Sequence, residues 1–313
     1  MNGQYVIGVD VGGTTVKMGL FTAEGTLLKK WEIPTRTENG GEAIIPDIAA
    51  SLREVMEESG ITSDNVRGVG IGVPGATRKD GFVALCPNLG WHKVFPGRLL
   101  SDILDGIPVK VSNDANVAAL GEQWLGCGRG TKNLFMITLG TGVGGGLVMD
   151  GKIVNGANGL GAEIGHICVN PSETRQCTCG GYGCLEQYAS ATGVANTAKL
   201  LLAKSAVPSV LDPETVTAKA VFDAAKAGDP VAKEAAELLF SCLGRELQNL
   251  THTVEPELFA IGGGVSKAGD FLIDGIYREY DRYMTYSPYR AKVVTATLGN
   301  DAGICGAARM MLD

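Results

Sequence analysis

Residues 159–188, GLGAEIGHICVNPSETRQCTCGGYGCLEQY, restrict the chain most. They hold four of its eight cysteines, one of its three histidines and, among three carboxylates, the spaced pair Glu163 and Glu186. Cys177, Cys179 and Cys184 follow His166 within a glycine-interrupted polar stretch. Such a loop has few apolar side chains to bury, so it needs another source of order. Thiolates this close, with an imidazole just upstream, suit a closed tetrahedral zinc site. The spacing C-x-C-x4-C differs from that of zinc fingers, and by spacing alone Cys168 competes with His166 for the fourth position. Ordinary buried thiols are the alternative, but buried cysteines do not gather in glycine-rich polar loops. A metal here would also fix Glu163 and Glu186, which flank the ligands and can accept hydrogen bonds from the hydroxyls of a sugar.

The rest of the chain reads as strands that end in glycine turns. Residues 5–11, YVIGVDV, form a buried strand. Gly12-Gly13-Thr14-Thr15 turns, and residues 16–21 return. Glycines at that turn let backbone N–H groups face an anion, with Thr14 and Lys17 as further donors. Asp10, beside the turn, can hold Mg2+ through water, or simply cap a hairpin. The Walker pattern G-x-x-x-x-G-K-[ST] is absent. A third strand is predicted over 26–33, a helix over 41–59 stopped by Gly60, and further strands over 66–73 and 108–111. In the loop at 87–91, Trp91 reads as packing, and Asn88 either presents an amide to a ligand or makes a turn. Asn113-Asp114 opens an Ala-rich helix. Asp114 looks like its N-cap, yet a carboxylate at the carboxyl end of a strand also lies where open α/β sheets bind ligands, placed to take a proton from a hydroxyl.

The second half repeats the theme. After a strand at 134–139, Gly140-Thr141-Gly142-Val143-Gly144-Gly145-Gly146 contains G-x-G-x-x-G. The following LVMDGKIV is a hairpin rather than a helix, so a dinucleotide fingerprint is rejected. A strand at 258–261 runs into Gly262-Gly263-Gly264, where a nucleotide can approach backbone. Helices are capped by Thr217 and by Asp229-Pro230. Asn300-Asp301-Ala302 echoes Asn113-Asp114-Ala115, which gives the chain two related halves.

Composition narrows the class. The 313 residues allow one large domain or two ordinary ones, and 45% hydrophobic residues support a full core. With a net charge of −7 and no Lys/Arg run, nucleic acid is not an expected partner. No apolar stretch has transmembrane length and no signal peptide is seen, so neither a membrane nor a disulfide scaffold is expected; the setting is a reducing cytoplasm.

GVDVGGT, NDAN, LGTGVGGG and E-x-G-H followed by C-x-C-x4-C-x-E together resemble the ROK family of sugar kinases, from Val6 to the C-terminal helix. PNLGW at 87–91 looks most like the family's glucokinases. The resemblance implies an actin/hexokinase-like α/β fold of two ribonuclease-H-like lobes with an active-site cleft. The smaller lobe would be residues 1–115 plus 300–313, and the larger residues 116–299 with the zinc loop. It implies ATP-dependent phosphorylation of the 6-hydroxyl of glucose, with Asp114 as general base. Asn88, Asn113, Asp114, Glu163, His166 and Glu186 would contact the sugar, and His166 rather than Cys168 would join Cys177, Cys179 and Cys184 on structural Zn2+. The nucleotide motifs contain Gly12, Gly13, Thr14, Thr141, Gly142, Gly263 and Gly264, with catalytic Mg2+ near Asp10 and Lys17. Asp301 matches no catalytic position and is left as a cap. A homo-oligomer, dimer or tetramer, is expected. The first hairpin leaves no room for the DNA-binding extension of the family's repressors. The alternatives are a kinase for another hexose or for N-acetylmannosamine, a polyphosphate donor, or a non-catalytic sugar sensor.

Overall fold

A computed structural model describes residues 4–312; the expected lobe limits at residues 1 and 313 lie outside them. In chain order the first elements are β1 (Tyr5–Val11), β2 (Thr15–Thr22), β3 (Leu27–Pro34), a short kinked turn α1 (Glu38–Gly41) and α2 (Ile44–Glu58). Next come β4 (Val66–Val73), β5 (Val83–Cys86), β6 (Trp91–Val94), α3 (Pro96–Ile103), β7 (Val109–Asn113) and α4 (Asp114–Leu125). Then follow β8 (Leu134–Leu139), β9 (Val143–Met149), β10 (Lys152–Ile153), α5 (Glu186–Ala189), α6 (Ala191–Lys204), α7 (Ala218–Lys226) and α8 (Pro230–Val254). The chain closes with β11 (Leu258–Gly262), α9 (Asp270–Tyr283), β12 (Lys292–Thr295) and α10 (Ala302–Arg309).

Two five-stranded sheets result, in the orders β3-β2-β1-β4-β7 and β10-β9-β8-β11-β12. In the first, β1 pairs antiparallel with β2 and parallel with β4, and β4 pairs parallel with β7. The near-continuous apolar run of β4, VRGVGIGV, is what a strand covered on both faces requires. The second sheet repeats this plan: β8, β11 and β12 are parallel, and β9 and β10 form the antiparallel hairpin at the Asp150-Gly151 turn. The two glycine hairpins expected from sequence are therefore present. Trp91 is packing, as expected: it is 3% exposed, and its Nε1 donates to the Gly41 carbonyl.

The chain divides into two compact units. One runs to Lys132 and adds Gly146–Ala162 and the stretch from Leu298; the other takes Asn133–Gly145 and Glu163–Thr297. In the first unit α2 and α3 cover one face of the sheet, where Ile7, Val9, Ile48, Leu52, Val69 and Ile71 build the main core. On the other side lie α4 and α10, the two helices that open with Asn-Asp-Ala.

The seat of α10 is made of backbone. A Cβ on Gly70 of β4 would lie 1.7 Å from the Ala307 carbonyl oxygen, and one on Gly306 would lie 1.6 Å from that of Val117 in α4. Gly8 and Gly121 are in the same position against Ile304 and Ala302. The helix approaches strand and helix to a distance that no side chain fits. Gly306→Ala should therefore cost at least about 1–3 kcal/mol by overpacking. Gly264→Ala, where an added Cβ meets nothing within 4 Å, should be neutral. Denaturant unfolding of both variants checks this.

Candidate functional site

In the first unit two carboxylates lie near the ends of β1 and β7, the strands on either side of β4. Asp10 lies opposite Gly72 of β4, and Gly72 lies opposite Ser112 of β7, one residue before Asn113. A Cβ on Gly72 would sit 2.6 Å from Val117 Cγ2 and 3.7 Å from both Asp10 Oδ1 and the Cα of Asp114, so the missing side chain lets α4 bring Val117 and Asp114 close to Asp10. Gly303, in the first turn of α10, does the same from above: its Cβ would lie 2.6 Å from the Asp10 carboxyl. Burial, reinforced by the Asp114 carboxylate, pushes Asp10 up to about 6, while Lys17, its cross-strand partner, pulls the other way.

The cap of α4 differs from the sequence expectation. Asn113, not Asp114, is the N-cap: its Oδ1 accepts the N–H groups of Ala115 at 2.9 Å and Asn116 at 3.2 Å. Asp114 is the first helical residue, where the partial positive charge of the helix N-terminus favours its carboxylate. Asp301 likewise makes no capping bond to α10; both its oxygens accept from Lys30 Nζ at 2.9 Å. Asp114 Oδ1 also accepts the Ala115 N–H, at 2.8 Å, so one oxygen of its carboxylate is held at the helix end. Asn88 lies exposed on the one-turn segment Pro87–Leu89, beside Gly13, while Gly13 and Thr14 form the exposed tip of the first hairpin. Gly12 donates its N–H to the Thr15 carbonyl, closing that turn.

The second unit holds the other predicted residues. His166, Cys177, Cys179 and Cys184 converge, one ligand atom from each lying within 4.8 Å of all the others. Cys177 Sγ is 3.8 Å from His166 Nδ1, and Cys179 Sγ is 3.7 Å from Cys184 Sγ. A tetrahedral ion with Zn–S bonds of about 2.3 Å places neighbouring ligands about 3.8 Å apart, so the spacing fits such an ion. The thiols also disturb one another. The Gly181 N–H lowers Cys179, whereas burial and the neighbouring sulfurs push Cys184 up to about 12. A cation among them removes that conflict. Cys168 stays outside this set and is exposed.

Glu186 joins this loop to the second glycine turn. Its Oε2 accepts the Val143 N–H at 3.1 Å, and its Oε1 accepts from Thr178 Oγ1 at 2.9 Å. Gly142 packs so closely on this carboxylate that its Cβ would lie 2.3 Å from Oε2. Thr141 is exposed at the same turn. Gly263, with φ of +83°, follows β11 and presses on the backbone of Leu139 at the end of β8, so the two glycine turns sit at the ends of adjacent parallel strands. Gly264 beside it is open. Glu163 is exposed and opens the turn Ile164–His166; Ala162 before it has φ of +66°, an uncommon conformation for a residue with a Cβ.

Sequence reasoning missed several supports. Thr178, lying between two cysteines, gives no signal of its own. Neither does the cluster in which Glu173 accepts from Arg175 and from Tyr188 Oη at 2.6 Å; the Arg175 guanidinium holds Glu173 down at about 2. This cluster, with buried Ile164, Val169 and Leu185, gives the loop more packing than its composition suggests. Gly303 was readable only as part of the Asn-Asp-Ala echo.

Residues 6–313 match the ROK family model. The chain is 44% identical over 315 residues to a glucokinase of Halalkalibacterium halodurans, covering 98% of this chain and 94% of that protein. A ROK family glucokinase from Streptomyces griseus, solved in complex with glucose and AMPPNP, superposes with a TM-score of 0.73 at 35% identity, covering 98% of both chains. A ROK hexokinase from Thermus thermophilus superposes at 0.82 with 31% identity, covering 97% of this chain and 96% of that one.

The raised Asp10 gives a stability prediction with a definite sign. Folding lifts its pKa above the unfolded value, so the folded state binds more protons between about pH 4 and 6, and stability falls as pH rises through that window. Asp10→Asn removes the penalty. Its Tm should exceed that of the wild type at pH 7.5, by the equivalent of up to about 3 kcal/mol for two pKa units, and the gain should vanish at pH 4. Thermal melts across this range test it.

Proposed function

Because the chain belongs to the ROK family, we propose that it is an ATP-dependent glucokinase, transferring the γ-phosphoryl group of ATP to the 6-hydroxyl of glucose. The observation that carries this reading is the meeting of Asp10 and Asp114 at the carboxyl ends of β1 and β7. One carboxylate is placed to accept a proton, and the other is an oxygen ligand suited to a hard cation.

Phosphoryl transfer needs positioning and charge neutralisation more than covalent help. Asp114 takes the proton of the 6-hydroxyl as the new P–O bond forms. Asp10 and Lys17 border the first glycine turn, where Gly12, Gly13 and Thr14 offer backbone and hydroxyl donors to phosphate oxygens. Thr141, Gly142, Gly263 and Gly264 serve the nucleotide from the two turns of the second unit. Asp10 would hold Mg2+, which would supply charge neutralisation for the phosphates.

Sugar contacts are assigned to Asn88, Asn113, Glu163, His166 and Glu186. Asn113 spends its carbonyl on the cap and one amide hydrogen on the Gly75 carbonyl at 3.4 Å, so the second amide hydrogen is what remains for a hydroxyl. His166 turns Nδ1 to the thiols, which leaves Nε2 as the edge for substrate. With zinc on Nδ1, Nε2 carries the proton and donates. The resident ion is thus read as structural Zn2+, which closes the loop and fixes the tautomer of a sugar-binding histidine. The setting proposed is cytoplasmic and the assembly a homo-oligomer. Among the described residues, no helix is long and apolar enough to cross a membrane.

A coupled assay with ATP over a panel of hexoses should show glucose as the preferred acceptor. Asp114→Asn should keep glucose binding but lose roughly two to four orders of magnitude in turnover; near-normal turnover removes Asp114 from the role. Metal analysis of the purified protein should find one zinc per chain. Cys179→Ser should lose the zinc, and with it thermal stability and glucose affinity.

A further inference from the structure

A cavity of about 570 Å³ in the first unit lies outside the site described above. Residues 109–112, four consecutive positions of β7, line it. Successive strand residues face opposite sides, so all four reach one cavity only at the strand's open edge. β7 is the last strand of its sheet, and β4 is its single neighbour there.

The charge of this recess runs against that of the chain. Lys79, Arg98, Lys110 and Lys152 line it, although the protein carries a net charge of −7. The one carboxylate in the lining, Asp80, is paired with Arg78. Lys110 donates to the Met310 carbonyl, but Lys79 and Lys152 have no side-chain partner among the described residues. The Arg98 guanidinium stacks over the Phe95 ring at 4.1 Å, which fixes its plane and leaves its N–H fork for an anion. At the polar wall, Asn155 Oδ1 accepts from Ser112 Oγ at 3.0 Å and from Asn116 Nδ2 at 3.2 Å. That fixes the orientation of the amide and leaves the Asn155 Nδ2 hydrogens as donors without an acceptor among the described residues. The volume falls within the usual range for a small-molecule site, roughly 300–1,000 Å³.

We infer that this cavity is a second ligand site, which binds a small phosphate monoester with a hydroxylated body. Lys79, Arg98 and Lys152 hold the phosphoryl group. Such a group carries close to two negative charges at neutral pH, more than a single carboxylate, and matches three unneutralised cations. Phe95 and the Asn155 amide take the body. The inference does not depend on the kinase reading, because it rests on no residue assigned to that reaction.

Calorimetric titration tests it. Glucose 6-phosphate and inorganic phosphate are titrated separately into protein saturated with glucose and AMPPNP, so that the proposed active site is occupied. The expected result is one equivalent of glucose 6-phosphate bound, with inorganic phosphate at least about tenfold weaker. In Lys79→Glu/Arg98→Glu the affinity for glucose 6-phosphate should fall at least about tenfold, the equivalent of losing one charge-assisted hydrogen bond. The melting temperature and the basal kinase rate of that variant should match the wild type. Lys152→Gln, a milder change, should weaken binding in the same direction and covers the case in which the double variant does not fold. Absence of binding, or binding unchanged in a folded variant, overturns the site; equal affinities for the two probes overturn the role of Phe95 and Asn155.

Discussion

The contact on which the first unit depends is backbone against backbone. Gly8 and Gly70 in the sheet, with Gly121 and Gly306 between the helices, let α10 lie against β1, β4 and α4 at distances that exclude any Cβ. That approach sets where α4 begins, and so where Asp114 stands. The first turn of α10 also closes over Asp10 through Gly303. Two acids are thereby held near one another with too little water to ionise both freely, and Asp10 is pushed up to about 6.

The second unit uses a different device for the same end. Around its second glycine turn, order comes from the side-chain web between β9 and the cysteine loop. Glu186 reaches both, accepting from the Val143 N–H and from Thr178. A metal among His166, Cys177, Cys179 and Cys184 would stiffen the loop from one side, while the Arg175–Glu173–Tyr188 cluster stiffens it from the other. In the proposed reading the ligand edge and the substrate edge of His166 would be two nitrogens of one ring, so metal binding and substrate geometry would be linked through a single side chain.

Much of this was legible in the sequence because glycine and cysteine have few structural uses. The strand–turn–strand hairpins at β1–β2 and β8–β9 followed from alternating apolar runs broken by Gly-Gly and Gly-Thr-Gly; the clustering of Cys177, Cys179 and Cys184 near an imidazole followed from thiol crowding, and the family resemblance chose His166 over Cys168. The short strands β5 and β6 and the helix α9 were not read, since four-residue runs and an interrupted apolar stripe give weak periodicity. The cap was misread because Asn113 and Asp114 are both good capping residues, and the choice between them depends on where β7 stops. The repeated Asn-Asp-Ala suggested related halves; in the fold it marks two helices of one unit that pack together, with Asp301 turned to Lys30. The basic recess beside β7 was invisible, because Lys79, Arg98, Lys110 and Lys152 come from four separate segments.

The ionisation of Asp10 is the most direct test of how the packed helices set the site. A carboxyl 13C NMR titration of selectively labelled protein reads it residue by residue, in the wild type and in Asp114→Asn. The account predicts a midpoint near 6 in the wild type that moves down once the neighbouring negative charge is gone, yet stays above the ordinary aspartate range of about 4 because burial remains. A wild-type midpoint near 4 that does not respond to the Asp114 change would contradict it.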